Sequence, residues 1–563
     1  MLSGNLRVVR HRLFILMLVS VALKLWLVAA QPVVAHANAS FDDRLFLALA
    51  EQILKGHWLG PYCQFTLMKG PMYSVFIAGA YLVRIPLPLA QHLLYLAGCV
   101  FLVLALRPRF TANWQSAALF TLLWWQPMSY VELDVLRQNI YTPLTLLVFA
   151  GLFALQTRQK SPLHLRLAWG VLLGASAGAF YLTREEGIWI TPAAVLSVAW
   201  SLASSWRAGR EFWRTLGQVL IASAVAVAIV TTVCVLNYRY YGWFGTVEFR
   251  AREFLSAYGA LQRPIASEEI PYVPVTRDVR QRLYQVSPSF RELQSCLEGP
   301  VGQEWANYSD YLTGRPGEEL QIGGGSFMWA LRDCVVSSGH ANTAHDALQF
   351  YGLIADEINH ACDEGRAGPC RTRGDTMLPR YKSGQIQRLL QLLPNYAADF
   401  FLFRGFTAYP TESWGSADLL TLFQELTRWK LAPSTEAPEI SSPTSRLDRL
   451  RLSMLQFIGS TVRWLCVAVV VGGIIAWILA AFRFICRKRF SYLFIVATAA
   501  FGSALAVLAV NVLVHAIAFR NQGPTALHEG YPLLMLFGMT AWFTLITETD
   551  STATQESDSN VTG

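Results

Sequence analysis

Charge is what this chain has least of. Only 15% of its 563 residues are Asp, Glu, Lys or Arg, where a soluble domain carries about a quarter. Hydrophobic residues make up 53%, and the mean hydropathy is +0.34. That shortage excludes an ordinary soluble protein and reads as a polytopic α-helical membrane protein. Other absences narrow the class. No internal repeat is visible and the apolar runs are poor in mid-helix charge, which argues against a transporter or flippase. No nucleic-acid-binding motif interrupts the runs, so the net charge of +8 needs no nucleic acid. Much of it lies in short loops, where orientation signals belong. Gly323-Gly324-Gly325 lacks the Lys-Ser/Thr of a phosphate loop and reads as a linker. His360, Cys362 and Cys370 match no zinc spacing.

What is present is a series of apolar runs: Leu13 to Ala30, Pro71 to Ile85, Pro88 to Leu106, Trp114 to Pro127, Ile140 to Leu155, Leu167 to Leu182, Ile188 to Ala203, Leu216 to Asn237, Met454 to Phe482, Tyr492 to Phe519 and Tyr531 to Ile546. The first competes with a cleaved signal peptide, but its length and the interrupting Lys24 favour an uncleaved helix, with Lys24 snorkelling to the outer interface. Basic clusters at Arg7/Arg10/Arg12, Arg107/Arg109, Arg158/Lys160/Arg166, Arg207/Arg210/Arg214 and Arg483 to Arg489 share one face only if Pro71 to Ile85 does not cross. That run is short and becomes an interfacial helix, leaving about ten spans, with both termini cytoplasmic. The expected organisation is a transmembrane module over 1–237 whose first outer loop is 31–87, an exoplasmic, mainly α domain over 238–451, three C-terminal spans over 452–547 and a disordered acidic tail over 548–563. Ser434 to Arg446 reads as a linker back to the membrane. Cys296, Cys334, Cys362 and Cys370 fall in the outer domain and predict at least one disulfide, most simply Cys362 to Cys370.

The chemistry concentrates in Phe41 to Lys69. Asp42 and Asp43 stand at the start of a helical pattern with Leu45, Phe46, Leu49, Gln52, Ile53, Leu54 and Gly56 on one stripe, suited to lie on a membrane surface. With Ser40 or Asp42 as cap, Asp43 falls in the first turn, where its carboxylate can turn toward a pocket. Lys69 is a snorkelling anchor or a point charge for a lipid-linked phosphate. Arg184, Arg137 and Arg520 sit at helix ends on the face where positive charge is disfavoured, so an anionic pocket would explain them as a set. Glu185, Glu186, His528, Glu529 and Tyr531 are further candidates for an acid or for acceptor binding; His528 and Glu529 also read as solvated residues at a helix start.

The order of these pieces is similar to something known. An acidic pair after the first span, Gly56-His57-Trp58, Lys69-Gly70-Pro71-Met72-Tyr73, Thr183-Arg184-Glu185-Glu186-Gly187 and Glu529-Gly530-Tyr531-Pro532 resemble the integral-membrane glycosyltransferases of C type, which include protein O-mannosyltransferases and aminoarabinose transferases. The resemblance covers roughly the first two hundred residues and the last spans, not the outer domain. It implies transfer of a sugar from a polyprenyl-phosphate donor to an exoplasmic glycan, lipid or protein acceptor, with inversion, in the plasma membrane of a bacterium. It places the first-loop acid at Asp42 or Asp43 and the phosphate cation at Lys69 or Arg184. Two departures stand out: Glu529 precedes Gly530-Tyr531 where many relatives carry Arg, and for the second acid there are only candidates, Glu132, Asp134, Glu185 and Glu186. No cofactor is required by these residues, and a divalent metal is left open. A polymerase or ligase of lipid-linked glycans is the alternative; it would use the outer arginines but has no need of the early acidic pair.

Overall fold

The computed structural model describes residues 2–184, 187–379, 384–440, 445–487, 491–519 and 523–559. Apolar runs bounded by Pro, Gly and polar clusters become helices. In order these are α1 (Leu2–Val28), α2 (Asp43–Leu54), α3 (Met72–Leu82), α4 (Leu87–Leu106), α5 (Asn113–Trp125), α6 (Gln138–Thr157), α7 (Leu163–Tyr181), α8 (Thr191–Ser205) and α9 (Arg210–Tyr241). The long polar region supplies α10 (Arg252–Leu261), α11 (Arg277–Val286), α12 (Pro288–Glu292), α13 (Gln294–Leu297), α14 (Pro300–Thr313), α15 (Gly324–Ser337), α16 (Ala344–Asp363), α17 (Gln385–Phe401) and α18 (Ala417–Thr427). The chain closes with α19 (Arg446–Arg487), α20 (Tyr492–Ile517) and α21 (Gly530–Ser559). Among the described residues no β-strand forms, only isolated bridges.

The protein is an α-helical polytopic membrane protein. Seven helices among the described residues are long and apolar enough to cross a membrane: α4, α6, α7, α8 with the turn before it, α9, α19 and α20. Of the other runs read as spans, α5 has 13 residues and the apolar part of α21 covers Gly530–Ile546, both below the ~20 residues a straight crossing takes. α3, with 11 residues, is too short to cross and packs against α2. The acidic tail is not irregular as expected, because α21 continues to Ser559; from Thr547 to Ser559 there is no Gly or Pro to stop it.

The long polar region divides between two cores. Residues 247–367 build a core of their own around Phe254, Tyr284, Phe290, Phe327, Leu331 and Ile354, pinned by disulfides Cys296–Cys334 and Cys362–Cys370. Residues 396–437 instead join the transmembrane core, with Tyr396, Phe400, Phe403, Phe423, Leu426 and Ala437 packed among its helices. Ser434 and Ala437 are buried, so the linker read there starts inside that core. The Gly triplet is no linker either: it opens α15, and a Cβ on Gly324 would lie 2.5 Å from the Ala518 carbonyl oxygen, so only glycine lets the outer domain sit on the end of α20.

Two expectations for buried groups are corrected. α2 does not lie on a membrane surface. Phe46, Leu47 and Ala50 face the transmembrane core, while Leu45 and Leu49 face a small cluster with Leu59, Leu67 and Tyr241. With apolar residues on both sides, the helix is a wedge between layers. Lys24 does not snorkel but is fully buried. Its ammonium donates to Ser129 Oγ at 2.7 Å and to the Trp124 carbonyl, and sits 4.3 Å from the Trp124 ring centre. The carbonyl, hydroxyl and aromatic faces replace the water that snorkelling would have supplied.

Candidate active site

The site begins with a short clasp. Residues 33–36 run extended between two other segments: Val33 bridges Leu431, Val34 bridges Asp134, and His36 bridges Trp414. Val34 N–H donates to the Leu133 carbonyl at 3.0 Å, and Ala432 N–H to the Val33 carbonyl at 2.7 Å. The clasp sets His36 beside Asp134 from the second outer loop and stacks its ring on Trp414 at 5.2 Å.

Asp43 opens α2 and points into this clasp. It is 1% exposed and accepts the Val135 N–H at 3.3 Å. His36 Nδ1 lies 4.0 Å from the Asp43 carboxylate and 3.8 Å from that of Asp134. Glu132, buried as well, has an Oε2 with no hydrogen-bond partner among the described residues. Three carboxyls thus share one poorly hydrated space. Burial, then the charges of Asp134 and Asp42, hold the Asp43 carboxyl well above its usual range. Burial followed by Asp134 and Asp43 does the same for Glu132, and burial raises Asp134 against the pull of His36. Like charges this close raise one another, so the three carboxyls do not ionise independently. His36 Nδ1 and one carboxylate oxygen each of Asp43 and Asp134 all lie within 4.8 Å of one another, a donor set that could also hold a divalent cation. No ligand cluster was foreseen from the sequence, and the structure supplies this one.

Asp42 occupies the N-cap position but does not cap α2 with its side chain. The expected cap is lost because its carboxylate, 56% exposed, pairs with the Lys69 ammonium instead. Lys69 also lies 5.4 Å from the centre of the Phe46 ring, and the Arg137 guanidinium 5.9 Å from the same ring. Arg137 donates to the Thr183 carbonyl at 3.2 Å. Arg184 lies 3.8 Å from Glu529 and 5.3 Å from the Tyr141 ring centre. The loops are tight against each other, since a Cβ on Gly70 would fall 2.0 Å from the Leu182 carbonyl oxygen. That contact is why Lys69-Gly70-Pro71 and Thr183-Arg184 meet. Lys69, Arg137 and Arg184 therefore rim one region around Phe46 and Tyr141. Arg520, Glu185 and Glu186 lie outside the described residues.

His528 and Glu529 are not solvated, being 5% and 3% exposed. His528 Nε2 faces the Met128 carbonyl and Nδ1 the Thr142 hydroxyl at 2.9 Å. A carbonyl can only accept, so Nε2 carries the proton and Nδ1 accepts from Thr142. Burial, helped by Arg184 and opposed by the Met128 contact, lowers the imidazole to about 4, so it is neutral at pH 7. Glu132, Asp134, Asn139 and His528 line one cavity with Gln31 and Gln91. Tyr531 faces elsewhere, fully buried against Phe400 and Phe403.

The domain of residues 247–367 holds this loop at both ends. Phe41, next to Asp42, inserts among Phe65, Trp305 and Trp329 at 5.2, 4.7 and 4.4 Å between ring centres. Met68, next to Lys69, is buried in the outer core. Between them the Arg332 guanidinium donates to the carbonyls of Cys63, Gln64 and Thr66 and to Glu248. Phe41 is partly buried, so it contributes less than the roughly 1.5–3 kcal/mol of a fully buried aromatic side chain.

Sequence reasoning missed His36 and Trp414. His36 could have been noticed as a histidine seven residues before Asp43 in the same loop; Trp414 is far away in sequence and offers no such signal.

No protein-family model and no curated protein matches the chain. Two solved structures are similar to it over 94% of this chain and 77% of theirs. One is ArnT from Cupriavidus metallidurans in the apo state, at 16% identity and a TM-score of 0.32. The other is the same protein bound to undecaprenyl phosphate, at 13% identity and a TM-score of 0.31.

Proposed function

We propose that the protein is a membrane glycosyltransferase that moves one sugar from a polyprenyl-phosphate donor to an acceptor hydroxyl on the outer face of the membrane, with inversion. The observation that carries this reading is the juxtaposition of a buried acid cluster (Asp43, Glu132, Asp134) with a cationic rim (Lys69, Arg137, Arg184). The acceptor hydroxyl gives its proton to the Asp43 carboxylate as its oxygen attacks the anomeric carbon. The bond from that carbon to the phosphate oxygen breaks, and the phosphate keeps the electron pair. Its charge is then met by the rim cations. His36 is 4.0 Å from Asp43 with its side chain 29% exposed, so it can carry the proton on toward water. Donor phosphate at Lys69 would displace Asp42 from its ion pair. A divalent cation on His36, Asp43 and Asp134 would neutralise charge there.

The site face is the exoplasmic one, with both termini cytoplasmic, in a bacterial plasma membrane. An impermeant thiol reagent should label Glu318→Cys in intact cells and leave Arg207→Cys unlabelled; the reverse pattern inverts the topology. For the activity, purified protein is given polyprenyl-phosphate sugars and the acceptor fraction is followed by mass. Transfer by wild type and its loss in Asp43→Asn is the expected result; equal transfer by both removes the acid cluster from the mechanism.

A further inference from the structure

A second basic cleft is lined by residues other than the acid cluster. It holds about 510 Å³, is open to solvent, and sits where the end of α1, the segment after α18 and the first turns of α19 meet. Arg428, Lys430 and Arg451 line it with a single carboxylate, Asp448. That carboxylate is divided: Lys430 Nζ lies 3.0 Å from one oxygen and Arg451 Nη1 3.5 Å from the other. Two cations therefore share one counter-charge, and among the described residues Arg428 has no ion pair. Arg428 is the C-cap of α18, in the left-handed region at φ +51°, a common way to end a helix.

The surroundings fix the depth of the cleft. The Arg428 guanidinium lies 4.1 Å from the Tyr81 ring centre and that of Arg451 4.4 Å from Trp26. Trp26 is 40% exposed on the outside of the bundle. Aromatic rings of this kind mark the headgroup level of a bilayer. Around and beyond Arg451, α19 carries Leu450, Met454 and Phe457, all exposed, as one apolar stripe at helical spacing. The cleft is on the same membrane face as Asp43, because Ala29 at its wall leads directly into the clasp. Outer-face arginines run against the usual loop charge bias and are explained by an anion held at that level.

We propose that this cleft binds the phosphate of an anionic glycerophospholipid of the outer leaflet, with the acyl chains lying along the Leu450–Met454–Phe457 stripe. A free phosphate would use the cations but not the stripe, and a zwitterionic lipid would bring a positive group against three cations. The site is distinct from the proposed donor site at Lys69.

The test uses the full-length protein in phosphatidylcholine nanodiscs, titrated with phosphatidylglycerol and read by native mass spectrometry of retained lipid. Phosphatidylglycerol should be retained in preference to phosphatidylcholine, and Arg428→Gln or Arg451→Gln should each weaken retention about fivefold. Lys69→Ala should leave it unchanged. Equal retention of both lipids by the wild type overturns the proposal without any variant. So does full retention in both folded arginine variants. Displacement of the lipid by inorganic phosphate at equal concentration would assign the cleft to a free anion. Loss of retention in Lys69→Ala would assign the lipid to the donor site. Both of these last results also overturn the proposal.

Discussion

Two groups of buried charge sit on either side of the first outer loop, and they are built on opposite rules. In the domain of residues 247–367, Glu248 and Arg332 are both fully buried and face each other. Tyr62 completes the carboxylate at 2.9 and 3.0 Å, and three backbone carbonyls complete the guanidinium. In the transmembrane body, Asp43, Glu132 and Asp134 crowd together with His36 beside Asp43 and Asp134. The first group satisfies its charges and holds the loop in place. The second leaves them in conflict, which raises their pKa values. A neutralised pair is a fastener; an unneutralised set of like charges is a place for chemistry, and stability is given up to keep it.

The largest effect is expected from breaking the fastener. Arg332→Met leaves Glu248 buried without a partner and drops the carbonyls of residues 63, 64 and 66, so it should cost about 3–5 kcal/mol. Thermal unfolding in detergent measures it, and the double variant Arg332→Met/Glu248→Met should recover much of the loss. If the single variant unfolds at the wild-type midpoint, the pair does not hold the loop.

Next comes the opposite manipulation. Asp43→Asn removes one like charge, so the unfolding midpoint should stay or rise while turnover falls on the order of a hundredfold, the scale of a lost general base. A fall in stability equal to that of Arg332→Met would make the two groups alike and end the contrast.

A smaller effect is expected at the rim. Lys69→Ala should lower transfer at limiting donor by about tenfold, the scale of one charge-assisted contact, with Asp42 released to solvent. Unchanged transfer at limiting donor would remove Lys69 from donor binding.

The smallest effect is in pH. The acid cluster's carboxyls have folded pKa values above their unfolded values of about 4. They favour the folded state fully below that pH, and the contribution is lost as pH rises through the raised folded values. His528 runs the other way. Its folded value near 4 lies below the unfolded value of about 6.5, so its contribution is complete above that and is lost as pH falls toward 4. Subtracting the Asp43→Asn stability curve from the wild-type curve isolates the first term. A wild-type curve that gains on the variant as pH rises would give the cluster the wrong sign.

Much was readable in the chain itself. Scarce charge and long apolar runs specify a helical membrane protein because hydrocarbon tolerates only internally satisfied backbone. The short run after Lys69 could be set aside as non-spanning on length and charge bias. The outer cysteines announced disulfides, since Cys362 and Cys370 are separated by a loop rich in Gly and Pro. The positions flanking the first span drew attention to Asp42, Asp43 and Lys69 because acids and cations at helix ends carry local meaning. What the sequence could not decide was who faces whom. Asp43 meets Asp134 only because residues 33–36 are clasped between two remote segments, and Lys69 meets the Arg184 loop only because Gly70 lets backbone touch backbone. Lys24, His528 and Glu529 look like boundary residues in one dimension; they are buried because aromatic rings, hydroxyls and carbonyls from distant helices take the place of water. The split of the polar region has the same origin. Both parts are amphipathic helices, and only the packing shows that residues 247–367 close on themselves while residues 396–437 complete the membrane body. Local composition determines element type and class, whereas burial and pKa depend on neighbours that the fold alone brings together.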